Sequence, residues 1–182
     1  MPTENGRCSS FSVPKSQYGV DDLDIAFVDL SAQWWLFDCW GKDVIDLDVW
    51  NEPKWGSIGV CAAAGFPTGH KAIQDGKVAA PMPLVVAELS SRVGEQTRVF
   101  TCHSQLKLAH GYDFSGMSGG PIFAEVSGNL IGVGLMIQGN RAAAAKGANP
   151  DAFSTDRDLT FRGLRLSPAI FSEWLENAVQ VE

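Results

Sequence analysis

Short apolar runs recur along this chain, and clusters of turn-forming residues separate them. Short β-type runs between turn signals predict strands near residues 8–13, 24–30, 44–50, 57–62, 84–89, 97–103, 106–110, 120–126, 130–137 and 159–164. The punctuation between them is NEPKWG, GFPTG, QDGK and SGN. Many short strands with such spacing predict an all-β barrel or sandwich. One segment changes period. Ser167 followed by Pro168 is an N-cap with proline at the first helical position, and Ile170, Phe171, Trp174, Leu175, Ala178 and Val179 then share one face at helical spacing. This predicts a C-terminal helix that docks through Phe171 and Trp174. Residues 138–157, with RAAAAKGANPDAFSTD, read as an extended surface loop, and the aromatic cluster Trp34, Trp35, Phe37 and Trp40 reads as core.

Composition narrows the classes. The chain has 182 residues, 45% of them apolar, enough for one good core or two small ones. Fourteen basic against 21 acidic residues give a net charge of -7, which disfavours nucleic acid as a partner because that binding neutralises phosphates with Lys and Arg. The start, MPTENGRCSS, has neither a basic nor an apolar leader region, and the most apolar run, SIGVCAAAGF, is too short to span a bilayer. The chain therefore reads as soluble and cytoplasmic, without a membrane partner. Cys8, Cys39, Cys61 and Cys102 follow no metal-binding spacing and read as buried thiols.

The densest chemical signal is GYDFSGMSGGPIF, residues 111–123. A serine nucleophile needs a tight turn that presents its hydroxyl and aims backbone N–H groups at a developing oxyanion. Glycines at 116, 119 and 120 around Ser118 supply such a turn. An α/β-hydrolase elbow also fits GMSGG, but that fold places its histidine after the serine, and His70, His103 and His110 all precede Ser118. A subtilisin-type order is allowed by Asp24, His70 and Ser118, yet the chain is short and poor in helices for that fold.

GMSGGPIF resembles the nucleophile motif of the trypsin-like (chymotrypsin-fold) serine peptidases of bacterial type. DLDIAFVDL, residues 22–30, is similar to the segment that carries the family's triad aspartate. GFPTG, residues 65–69, resembles a turn of the second barrel, and GNLIGVGLMIQG, residues 128–139, resembles the strand pair beside the bound substrate. The resemblance spans roughly residues 20–180. It implies a chymotrypsin-like double β-barrel with the first barrel incomplete, divided as a remnant of that barrel and a linker in residues 1–50, a nucleophile-bearing barrel in 51–166 and a helix in 167–182. It implies Ser118 as nucleophile, the N–H groups of Gly116 and Ser118 as oxyanion hole, Asp24 as triad acid, and Leu135, Met136 and Ile137 as the strand that pairs with a peptide or protein substrate. No cofactor or metal is implied.

The family order is His, then Asp, then Ser. Residues 1–23 contain no histidine, and that length supplies only about two strands. The first barrel and its general base are therefore expected to be missing from this chain. Two consequences are open: a truncated, inactive endopeptidase domain that lacks an N-terminal segment or self-associates, or a catalytically dead peptide-binding module of the same fold. A plain structural β-domain is the third alternative. Asp113 is a further candidate for the specificity pocket, and Tyr112 stands where trypsin carries its specificity aspartate.

Overall fold

The computed structural model describes residues 18–20, 23–27, 30–41, 44–46, 48–74, 77–94, 96–108, 113–139, 157–176 and 179–180. Strands dominate. They are β1 (Tyr18–Val20), β2 (Leu23–Phe27), β3 (Val60–Ala64), β4 (Ala72–Gln74), β5 (Lys77–Ala79), β6 (Leu84–Leu89), β7 (Val99–Gln105), β8 (Pro121–Val126), β9 (Asn129–Gly139), β10 (Asp158–Arg165) and β11 (Val179–Gln180). The helices are α1 (Trp34–Trp40) and α2 (Pro168–Glu176). The chain divides into two compact units, Met1–Trp50 with Pro168–Glu182, and Asn51–Ser167.

The second unit is a closed antiparallel barrel of six strands in the order β10-β7-β6-β3-β8-β9. Closure gives each of the six strands a neighbour on both sides, so alternate side chains can fill the interior. Phe100, Cys102, Cys61, Ala63, Ala87, Ile122, Ala124, Val133, Met136 and Phe161 form that core, each almost fully buried. The Trp55 ring meets Phe100 at 5.0 Å between centroids. β8 and β9 are joined by Ser127 and Gly128, both at positive φ, the two-residue turn whose twist matches paired strands. β4 and β5 form a separate two-stranded hairpin.

One end of the barrel is tied by a partly buried ion pair. Arg165 donates to both carboxylate oxygens of Glu52, from Nε at 2.5 Å and Nη2 at 2.8 Å, and from Nη1 to the Gly94 carbonyl at 2.9 Å. Trp55 Nε1 donates to the same Glu52 at 2.6 Å, and the guanidinium lies 5.7 Å from the Trp55 ring centre. Burial pushes the Glu52 carboxyl up, but the hydrogen bonds from Arg165 and Trp55 and the Arg165 charge outweigh it, and the net direction is down. A carboxyl depressed in the folded state adds stability above its unfolded pKa, and this is lost as pH falls through the folded value. Arg165→Ala is expected to cost about 3 kcal/mol, since it strands a partly buried carboxylate. The loss should shrink in urea melts run progressively below the ordinary glutamate value of 4.5. A cost that stays constant across that acid range would show that the carboxylate charge is not what the arginine holds.

In the first unit, β1 lies between β11 and β2 in a three-stranded sheet. Tyr18 pairs with Gln180 and Gly19 with Val179. α2 carries buried Ile170 and Trp174, with Phe171 half-buried.

Several sequence expectations need correction. Residues 44–50 form no strand where described. The Asp46 carboxylate accepts from the Asp48 N–H at 2.9 Å, and its carbonyl accepts from Val49 and Trp50, so a side-chain-capped turn replaces the extended run. Leu106 also lies outside any strand, its N–H bonded to the Arg157 carbonyl, and Leu108 is exposed. The helix ends at Glu176, and Val179 belongs to β11 because Gly19 offers it a strand partner. Trp34 and Trp35 are 50% and 43% exposed rather than core, since neighbouring positions on a seven-residue helix point about 100° apart. Trp34 instead meets Phe37, one turn on, at 5.8 Å between rings. Cys61 and Cys102 are buried thiols, but Cys39 is exposed. The hydrogen bond shared with Cys61, and burial behind it, push the Cys102 thiol far up, which keeps it protonated and inert. Cys8 and the strand expected at 8–13 lie outside the described residues.

Candidate functional site

The loop from Phe114 to Gly120 leads into β8 through two turns that share Met117. Met117 N–H donates to the Phe114 carbonyl at 3.1 Å, and Gly120 N–H donates to the Met117 carbonyl at 2.9 Å. In each four-residue turn the third position has positive φ: Gly116 at 89° and Gly119 at 82°. That is the requirement of type II turns, and it explains why glycine stands at both places. Gly120 serves a different need. A Cβ there would lie 2.0 Å from the Ala64 carbonyl oxygen of β3.

The N–H groups of this loop divide into two sets. Ser115 donates to the Asp113 carboxylate at 2.8 Å, Met117 and Gly120 close the turns, and Gly119 donates to the Met136 carbonyl at 2.7 Å. Among the described residues, the N–H groups of Gly116 and Ser118 have no acceptor. Met117, between them, is buried with its side chain in the barrel core, whereas Ser115, Gly116, Ser118 and Gly119 are exposed. The loop is thus anchored from below, with two unbonded donors and a serine at its surface.

Ser118 Oγ has one hydrogen-bond contact among the described residues, the Ile137 carbonyl at 3.5 Å, a long approach. The other side of the loop is held by the GFPTG turn. Thr68 N–H donates to the Ser115 carbonyl at 2.8 Å, a Cβ on Gly65 would meet Met117 at 3.0 Å, and Pro67 is fully buried. Two segments that are about fifty residues apart therefore build one site.

The expected substrate strand divides. Leu135 pairs with Pro121 on one side and Leu164 on the other. Met136 pairs with Gly163 and is bonded in both directions to Gly119 and Gly120. Neither leaves an edge for an added strand. Ile137 falls at the bulge where the β9–β10 register shifts, and pairing with β8 stops at Leu135, so residues 137–139 have one side without a strand partner among the described residues. Asp24 lies on β2 at the irregularity between the Val20–Leu23 and Gly19–Ala26 pairs. It belongs to the first unit and Ser118 to the second, and the side chain of Asp24 lies outside what the structure describes.

Of the histidines, His103 is an exposed residue of β7 with Nε2 3.6 Å from Asp158 Oδ1. His70 ends the 3-10 turn Thr68–His70, its N–H on the Pro67 carbonyl at 3.2 Å. His110 and Tyr112 lie outside the described residues. The Asp113 carboxylate is engaged in capping Ser115. Among the described residues no three His, Cys, Asp or Glu side chains come together in a group suited to a metal ion, and no helix is long and apolar enough to cross a membrane.

Thr68 is the site residue that the motifs did not single out. Its letters sit inside a turn signal, and the fold alone brings it to Gly116. Compared with family models, curated proteins and solved structures, the chain matches none.

Proposed function

We propose that this chain is the nucleophile-bearing domain of a trypsin-like serine endopeptidase, with Ser118 attacking the peptide carbonyl. The observation that carries the reading is the pair of unbonded N–H groups at Gly116 and Ser118, on either side of a residue whose own N–H is used. Donors left free in this way are what a developing oxyanion requires. In the reaction Ser118 Oγ bonds to the carbonyl carbon while an imidazole, which the described residues around Ser118 do not supply, takes its proton. The tetrahedral oxyanion is held by the two N–H groups, and the amine departs with the proton to leave an acyl-serine that water hydrolyses. An extended peptide adds along residues 137–139, with Leu135 and Met136 left inside the barrel ladder. Asp24 is the acid that the family resemblance assigns, within a double barrel of which residues 51–166 are the second.

A second reading, a peptide-binding module of the same fold that does not cut, is favoured by one observation. The hydroxyl of Ser118 contacts a carbonyl and, among the described residues, no imidazole. A fluorophosphonate probe tests the shared premise. Slow labelling confined to Ser118, absent in Ser118→Ala, is expected. Probe found on other serines at the same rate, or on none, would remove the basis for both readings. Peptide hydrolysis on addition of free imidazole, against peptide binding with no hydrolysis even then, separates the two.

A further inference from the structure

We propose that the Thr68 hydroxyl is a third donor of the Ser118 oxyanion socket, alongside the N–H groups of Gly116 and Ser118; this rests on the peptidase or peptide-binding reading of that site. Thr68 Oγ1 lies 2.1 Å from the position a Cβ on Gly116 would occupy. The hydroxyl therefore packs directly on the residue that presents one of the two unbonded N–H groups. It is itself on an exposed residue and has no hydrogen-bond partner among the described residues. A hydroxyl without an acceptor thus lies against Gly116, beside a loop that holds two further N–H groups without acceptors, a set of donors suited to an oxygen that gains negative charge.

The hydroxyl is also held in place. Thr68 N–H is fixed on the Ser115 carbonyl at 2.8 Å, Pro67 before it is fully buried, and Lys71 N–H returns to the Thr68 carbonyl at 3.3 Å. A donor on a turn anchored to the serine loop moves with that loop, which keeps the three groups in register. Glycine at 116 then has a second function. Besides allowing a φ of 89°, it leaves room for the hydroxyl, which any side chain there would displace. The chemical class bound is the oxyanion of a tetrahedral carbon, or the phosphonyl oxygen of a probe that imitates it.

The experiment compares Thr68→Val with Thr68→Ser in the full chain. Valine keeps the shape on Gly116 and removes the donor, while serine keeps the donor. The rate of fluorophosphonate labelling at Ser118 is followed by intact-protein mass spectrometry, together with thermal melts. The valine variant is expected to label about tenfold more slowly or worse, with an unchanged melt and serine close to the native rate. Valine labelling at the native rate would overturn the third donor and leave the site reading standing. Serine as slow as valine would also overturn it, since the lost methyl packing would then be responsible. If the native chain is not labelled at Ser118, the site reading fails, and the proposal falls with it.

Discussion

Gly120→Ala is expected to lower the melting temperature of this chain by about 10 °C and to disconnect the Ser118 loop from the barrel. The added Cβ would stand 2.0 Å from the Ala64 carbonyl oxygen and 2.9 Å from that of Met117. Both are backbone atoms, so no rotamer change relieves the clash. Ala64 is held in β3 by its pairing with Leu84 of β6, so the loop has to move instead. Moving it breaks the bonds between Gly119 and the Met136 carbonyl and between Met136 and the Gly120 carbonyl. Overpacking of this kind costs about 1–3 kcal/mol or more, and each lost bond adds about 1 kcal/mol. Gly119→Ala is the useful contrast. Its φ of 82° disfavours a side chain, but nothing lies within 4 Å of the new atom. Its cost is expected near 1 kcal/mol, the ordinary penalty of a left-handed residue. Calorimetry of the two variants checks the ordering. If Gly119→Ala proved the more damaging, the loop would not be seated on β3.

The same loop shows what the sequence carries and where it stops. Ser-Gly-Gly-Pro announced a special turn, because glycine density of that kind has no use in an ordinary strand. Which N–H groups stay free follows in the sequence only from the family resemblance, which names Gly116 and Ser118; the letters by themselves do not give it, since it depends on Met136 taking Gly119 and on Met117 being drawn into the core. Both are tertiary facts. The barrel was legible where pattern and turn chemistry agreed. β6 falls on residues 84–89 as read, and SGN gave the β8–β9 hairpin. The β-type run at residues 44–50 forms no strand where described, because the Asp46 carboxylate and carbonyl accept from the N–H groups that follow. Helical spacing failed at Val179, whose apolar side chain suits the helical face but whose backbone is paired with Gly19, near the other end of the chain. Trp34 and Trp35 depart from the core reading for a simpler reason: apolar character does not by itself bring burial, and large apolar residues are common on surfaces.

Casein hydrolysis by this chain is expected to be indistinguishable from that of Ser118→Ala. An unassisted serine hydroxyl is a weak nucleophile, and catalysis that lacks a triad member keeps only roughly 10³–10⁴ over water, from the oxyanion hole and binding. A base must come within hydrogen-bond reach of the hydroxyl, and the Ser118 hydroxyl reaches the Ile137 carbonyl instead. His103 stands beside Asp158 on β7, and His70 closes the Thr68–His70 turn. Replacing His70, His103 or His110 by alanine should therefore leave fluorophosphonate labelling of Ser118 within about twofold, far from the several decades that loss of a general base produces. The pH profile gives an independent measure. Labelling driven by hydroxide rises steadily through neutral pH, whereas labelling through an imidazole levels off above about pH 7. A plateau in that region, or rapid casein cleavage lost in Ser118→Ala, would mean that a histidine reaches Ser118 after all. The alanine variant that removes the plateau would then identify it.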